Sequence, residues 1–220
     1  MKQIAAFGCS FTQGIGPDYH SWTREFADVY KEYSIDDYSK GGSSVKWSVS
    51  QLLKYNNKNI DSFKIFQVTT PYRITIETES LDCCRETRTE NHTMYNTELA
   101  IILITMGVNF KNNIIYRHIS KKLVSVIYQI LYKYMDTSLE ELEWAMYIKY
   151  AMKNSDFLFF HREDDRQRFL DFFPEYTNLN SVENMLGKKY FRKHVFDNGD
   201  HLDKEAVQKV ATWIKTQISI

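Results

Sequence analysis

The N-terminal segment, residues 1–14, constrains the fold of this 220-residue chain more than any other. A short apolar run, residues 4–7, ends at Gly8, and Ser10 and Gly14 follow closely. Continuous apolar runs of this length are typical of strands buried on both faces, as in parallel sheets. A hydroxyl directly after such a strand lies at the edge where open α/β sheets bind ligands. We therefore predict a parallel α/β sheet with Ser10 at its carboxyl edge.

Composition and charge exclude several classes of protein. Hydrophobic residues make up 43% of the chain and aromatic residues 15%, which argues against disorder. The 28 Lys and Arg residues balance the 28 Asp and Glu residues, so we expect no nucleic-acid partner. The longest apolar run, residues 99–106, is too short to span a bilayer, so we expect no membrane partner.

The three cysteines, Cys9, Cys83 and Cys84, indicate a reducing compartment. An odd count with one adjacent pair is a poor disulfide framework, and zinc-ligand spacing is absent. The N-terminus lacks the pattern of a signal peptide. We expect a cytoplasmic protein that binds no metal and no cofactor.

Strand-like runs alternate with helical patterns along the whole chain. After the first strand, strands are predicted at 35–39, 63–68 and 156–160, and helices at 22–33, 43–55 and 203–218. This alternation predicts one domain over residues 1–220, with a parallel sheet covered by helices on both faces.

Two stretches interrupt the alternation. Residues 77–92 are polar and show no clear period, so we expect a loop there. Residues 94–154 are typical of a helical insertion. One of its predicted apolar faces contains Leu139, Leu142, Ala145 and Met146.

Two further segments carry residues suited to a reaction. Gly41 and Gly42 precede a helix capped by Ser43 or Ser44, and glycine N–H groups at a helix start can bind an anion or a developing oxyanion. His201, in the loop before the last helix, is a candidate general base.

The order Ser10, Gly42, His201 on this strand pattern resembles the SGNH (GDSL-like) hydrolase family. The resemblance is strongest to phage- and bacteria-encoded members that open with Gly-Cys-Ser-Phe-Thr-x-Gly, here residues 8–14. It implies a three-layer α/β/α sandwich of flavodoxin-like type and hydrolysis of an acyl or acetyl ester. It also implies that Ser10 is the nucleophile, Gly42 an oxyanion donor and His201 the base, with a small-molecule or carbohydrate ester as substrate.

The family's Gly-x-Asn-Asp block should follow the third strand, where this chain has Thr69, Thr70 and Arg73. Thr69 or Thr70 could donate an O–H in place of the Asn amide, and we take Thr70 as the candidate. Residues 107–109 also have the pattern Gly-x-Asn and remain an alternative. Arg73 is a candidate cation facing the substrate, or a surface ion-pair partner.

The family's Asp-x-x-His block is altered too, because Asn198 stands three residues before His201. A triad needs an acceptor that fixes the imidazole tautomer and stabilises its charge. Asp197 is our candidate for that role. Asp200, Asn198 and a Ser–His dyad without an acid stay open as alternatives.

Three hypotheses about function follow. The first is a serine esterase. The second is an inactive SGNH-fold protein that serves as a binding or assembly module, with residues 94–154 as its surface. The third is a nucleotide or phosphate binder that uses residues 8–14, although Gly-x-Gly-x-x-Gly and Walker spacings are absent. Cys9 is an alternative nucleophile whose side chain we expect in the core. Substrate identity and oligomeric state do not follow from the sequence.

Overall fold

A computed structural model describes residues 2–14, 20–41, 43–58, 60–71, 74–78, 90–94, 137–195 and 201–218. Its strands are β1 (Lys2–Phe7), β2 (Tyr33–Asp37), β3 (Phe63–Val68), β4 (Ile74–Thr78), β5 (Glu90–Met94), β6 (Phe157–Phe160) and β7 (Asn180–Ser181). Its helices are α1 (Ser10–Gln13), α2 (Trp22–Val29), α3 (Val45–Asn56), α4 (Thr137–Asn154), α5 (Glu163–Phe172), α6 (Val182–Leu186), α7 (Lys188–His194) and α8 (Lys204–Ile218).

The main sheet has five parallel strands in the order β2-β1-β3-β6-β7. Numbered in chain order within this sheet, the strands run 2-1-3-4-5, which is the flavodoxin-like order of doubly wound folds. The predicted parallel α/β class is confirmed.

Helices cover both faces of this sheet. Ile4 and Ala6 of β1 belong to one core, which includes residues of α2 and α8. Ala5 and Phe7 belong to the other core, which includes residues of α3, α4 and α5. Because both sides of β1 are buried, its sequence is a continuous apolar run rather than an alternation.

Hydroxyl side chains define the starts of α2 and α3. The Ser21 side chain accepts hydrogen bonds from the N–H groups of Thr23 and Arg24, as an N-cap does. Ser44 accepts the N–H of Trp47 at 3.2 Å and is therefore the cap of α3. Ser43 instead donates its hydroxyl to the Gly8 carbonyl at 2.7 Å, which joins the start of α3 to the end of β1.

Some boundaries differ from those predicted. The first long helix ends at Val29, and β2 begins at Tyr33 because that residue pairs with Lys2 in the sheet. The prediction of a loop over residues 77–92 is wrong at both ends, because residues 77–78 belong to β4 and residues 90–92 to β5. These two strands pair antiparallel in a separate two-stranded sheet.

The insertion expected over residues 94–154 is described only in part. Residues 137–154 form α4, as predicted, whereas Met94 ends a strand and residues 95–136 lie outside the described chain. The apolar face predicted for α4 is wrong for Leu139, Leu142 and Met146, which are exposed, and correct for Ala145, which is buried. The helix instead buries Trp144, Ala145, Ile148 and Ala151 against the sheet.

Within the described ranges, α4 and α8 are the longest helices, and no helix there is both long and apolar enough to cross a bilayer.

Candidate active site

The topology creates a crevice at the carboxyl ends of β1 and β3. From β1 the chain moves to β2 on one side and then crosses to β3 on the other. Ligands bind at such a switch point in open α/β sheets. The turn that follows β1 carries Gly8, Cys9 and Ser10, so the sequence places Ser10 at this point.

Gly8 is the residue that lets this turn lie against β3. A Cβ at Gly8 would clash with the Thr12 hydroxyl and lie 2.9 Å from Gln67 Oε1. Without it, the Thr12 hydroxyl donates to Gln67 Oε1 at 2.8 Å. Gly14 ends α1 with a φ of 68°, a conformation that favours glycine.

Two other contacts fix the turn from its remaining sides. The Ser21 hydroxyl donates to the Thr12 carbonyl at 2.6 Å. The N–H of Gly41 donates to Gln13 Oε1 at 2.6 Å, which joins the turn to the glycine pair after β2. The turn is thus fixed by hydrogen bonds to α2, to β3 and to the 40–44 loop.

Ser10 is the first residue of α1 and is 1% exposed. Cys9 is fully buried in the core beneath it, with its Sγ 3.7 Å from Gln67 Oε1. The expectation that Cys9 points into the core is confirmed, and its thiol contacts β3.

Two histidine rings pack on Phe11, the residue after Ser10. His201 stacks on it with ring centroids 5.4 Å apart and planes 28° apart. His161 stacks on it at 3.3 Å and 24°, and is 5% exposed. The predicted base therefore lies beside the turn that carries Ser10, together with a second imidazole.

Our sequence reasoning missed His161. The signal was present, because His161 directly follows the apolar strand β6 and thus ends at the same edge of the sheet as Ser10. A titratable residue at the carboxyl end of a buried parallel strand is a candidate site residue for that reason alone.

A histidine–aspartate pair, His194 and Asp203, lies close to His201 in the sequence and joins α7 to α8. His194 Nδ1 lies 2.6 Å from Asp203 Oδ2, and the N–H of Asp203 donates to the His194 carbonyl at 3.1 Å. Asp203 Oδ1 also accepts the N–H of Ala206 at 2.9 Å in the first turn of α8. Asp203 therefore binds His194 and caps α8.

The end of β3 supplies the residues that stand where the family has Asn. Thr69 is 2% exposed, and its hydroxyl has no hydrogen-bond partner among the residues the structure describes. Its carbonyl accepts the indole N–H of Trp144 at 2.9 Å. Thr70 is half-buried.

Next to the turn, Tyr38 covers the end of β1 on the opposite face. Its ring stacks on Phe7 with centroids 5.4 Å apart. Burial, followed by the negative charge of Asp36, raises the pKa of Tyr38 above its ordinary value. Its phenol is therefore neutral at physiological pH.

The other predicted site residues lie outside the described residues: Gly42, Arg73, Asp197, Asn198, Asp200 and the 107–109 segment. The structure brings Ser10 and His201 to one turn, and it leaves the second oxyanion donor and the acid partner as predictions. Within the described ranges, no group of three or more His, Cys, Asp or Glu side chains is arranged to bind a metal ion.

Fold and site together define a flavodoxin-like α/β protein with a serine and two histidines at the carboxyl edge. No family model and no curated protein matches the chain. Among solved structures, it is similar to the psychrotrophic esterase EstA from Pseudoalteromonas sp., in a form inhibited by monoethylphosphonate. The TM-score is 0.47 and the identity 10%, over 100% of both chains.

Proposed function

We propose that this chain is a serine hydrolase that cleaves an ester, with Ser10 as nucleophile and His201 as general base. The observation that carries the proposal is the stacking of His201 on Phe11, directly after Ser10. It brings an imidazole from the C-terminal part of the chain to the turn that carries the hydroxyl. The sequence resemblance to the SGNH hydrolases supports the same assignment of roles.

In the proposed reaction, Ser10 Oγ bonds to the acyl carbon while His201 takes the hydroxyl proton. The bond from the acyl carbon to the alcohol oxygen then breaks, and His201 gives the proton to the leaving alcohol. Water attacks the acyl–Ser10 ester, with His201 again taking the proton. The carboxylic acid leaves and Ser10 regains its proton.

Around this step, the backbone N–H groups of Ser10 and Gly42 donate to the oxyanion, and Asp197 orients His201. Arg73 faces the substrate. The substrate class we propose is an acyl or acetyl ester, including esters carried by a carbohydrate.

Replacement of Ser10 tests this function directly. We expect Ser10→Ala to lower kcat on p-nitrophenyl acetate by about 10⁴–10⁶-fold, as loss of a serine nucleophile does in other hydrolases. Ser155→Ala is the matched control. Its hydroxyl donates to the Ala151 carbonyl at 2.8 Å just before β6, away from the carboxyl edge, so the rate should be unchanged. Equal rates for Ser10→Ala and the wild type would contradict the proposal.

One observation favours a second function, an inactive SGNH-fold module for binding or assembly. Ser10 is 1% exposed, whereas a nucleophile must reach its substrate. Under this alternative, the hydrogen bonds around the turn serve stability alone. If the wild-type protein neither hydrolyses esters nor reacts with a fluorophosphonate, the result would favour the inactive module over the serine hydrolase.

A further inference from the structure

The hydroxyl of Thr69 is the starting observation. It is buried at the carboxyl end of β3 and has no hydrogen-bond partner among the described residues. A buried hydroxyl without a partner costs free energy, so its presence requires an explanation. Trp22 Nε1 and Asn56 Oδ1 are also buried without a partner among the described residues, but they lie on α2 and at the end of α3. Thr69 and His161 each directly follow a central strand at its carboxyl end, and the strand before Thr69 is β3, which pairs with the strand that leads to Ser10.

The side-chain alternation of β3 gives the direction of Thr69. Phe66 and Val68 belong to the core beneath α3 and α4. Gln67 points the other way and accepts the hydroxyl of Thr12 in the turn that carries Ser10. Successive side chains of a strand alternate between faces, and this alternation, extended to the residue after β3, predicts that the Thr69 side chain lies on the side of that turn, as Gln67 does.

The same extended alternation predicts that the side chain of Thr70 lies on the opposite face, as Val68 does. The sequence alone leaves the two threonines equivalent, since both follow the strand directly. Two properties distinguish them in the structure. Thr69 is 2% exposed whereas Thr70 is half-buried, and the two side chains are expected on opposite faces of the sheet.

Trp144 fixes the backbone of Thr69. Its indole N–H donates to the Thr69 carbonyl at 2.9 Å, and the tryptophan itself is 5% exposed. A donor that is fixed before the reaction needs no reorganisation when charge develops, which is how oxyanion donors act. An unpartnered hydroxyl on a fixed backbone meets that requirement.

We propose that the Thr69 hydroxyl, rather than that of Thr70, donates a hydrogen bond to the oxyanion formed at Ser10. This inference rests on the proposed function. It assigns Thr69 the place that the Asn amide occupies in the family. It also explains why this buried hydroxyl has no partner among the described residues, since its acceptor is the reacting ester.

The test uses full-length protein and measures the rate of reaction with a fluorophosphonate and kcat on p-nitrophenyl acetate. Thr69→Val removes the hydroxyl and keeps the shape, and we expect both rates to fall by about 10²-fold or more with KM unchanged. Thr69→Ser restores the donor and should recover most of the rate. Thr212→Val, on the exposed side of α8, should react like the wild type.

Thermal unfolding separates a catalytic from a structural role. Because the Thr69 hydroxyl has no partner in the described part of the chain, Thr69→Val should unfold at the same temperature as the wild type or higher. A slower reaction together with a lower Tm would assign Thr69 a structural role and overturn the inference.

The other possible results separate failure of the proposed function from failure of the role of Thr69. A wild type that does not react with the fluorophosphonate would overturn the proposed function, and this inference with it. A wild type that reacts, with Thr69→Val reacting as fast, would overturn the role of Thr69 alone. A larger loss in Thr70→Val than in Thr69→Val would move the role to Thr70.

Discussion

At the scale of single residues, Gln67 organises the candidate site. It is a fully buried polar side chain in the central strand β3. Its Oε1 accepts the Thr12 hydroxyl at 2.8 Å, and its Nε2 donates to the Val68 carbonyl at 3.1 Å. Gly8 makes this contact possible, because any side chain there would occupy the space of the Thr12 hydroxyl. One glutamine and one glycine thus set the position of the turn that carries Ser10.

Replacement of Gln67 by leucine should therefore destabilise the protein. It leaves the buried Thr12 hydroxyl without its acceptor, which typically costs about 1–3 kcal/mol in the free energy of unfolding. Chemical denaturation measures this value. Gln208→Leu, at an exposed position of α8, should change it by less than about 0.5 kcal/mol. Similar values for the two variants would show that Gln67 does not organise the turn.

At the scale of elements, the pair of His194 and Asp203 joins the end of α7 to the start of α8, two residues after His201. The carboxylate of Asp203 binds the end of α7 and caps the start of α8 at the same time. The sequence pointed to acids before His201, whereas this one follows it. The pair was missed because its two members approach each other only after α7 and α8 are placed.

We expect Asp203→Ala to lower the free energy of unfolding by about 1–3 kcal/mol, because a helix cap and a charge-assisted hydrogen bond are lost together. Asp28→Ala is the matched control, since its side chain is 78% exposed and pairs with Lys31, which is 75% exposed. That variant should change stability by less than about 0.5 kcal/mol. Denaturation curves that coincide for the two variants would contradict the role of Asp203.

Apolar periodicity in the sequence predicted those helices and strands in which buried residues recur at the regular spacing of the element. The helix predicted over residues 203–218 is α8, and its residues Val207, Val210, Ala211 and Ile214 are buried at helical spacing. The patterns failed at β4 and β5, whose polar sequences pair outside the main sheet. They also failed on α4, where apolar residues occur on more than one side. Periodicity finds apolar residues, but packing against the sheet decides that Trp144 is buried and Met146 is exposed.

At the scale of the whole molecule, the parallel class followed from the alternation of strands and helices. The strand order did not, because it depends on which strands pair. That order places the ends of β1 and β3 side by side and so unites Ser10, Thr69 and Gln67. Motifs alone single out Ser10 and His201 as candidates, and their catalytic roles stay predictions. The role we propose for Thr69 rests on its burial and expected direction, which no motif contains.

The strand order also predicts how protection against hydrogen exchange varies across the sheet. Backbone amides of β1 and β3, each paired on both sides, should exchange most slowly, by global unfolding. Amides of β2, paired with β1 alone in the described sheet, should exchange faster through local opening. Hydrogen exchange followed by mass spectrometry measures this difference. Equal protection of β1 and β2 would contradict the order.

The central claim is that Ser10 is a nucleophile activated at this turn. The most direct measurement is to treat folded wild-type protein with a fluorophosphonate and locate the adduct by peptide mass spectrometry. The account predicts one adduct on Ser10, which is lost in Ser10→Ala and strongly slowed in His201→Gln. Folded protein without an adduct, or with the adduct on a residue other than Ser10, would contradict it.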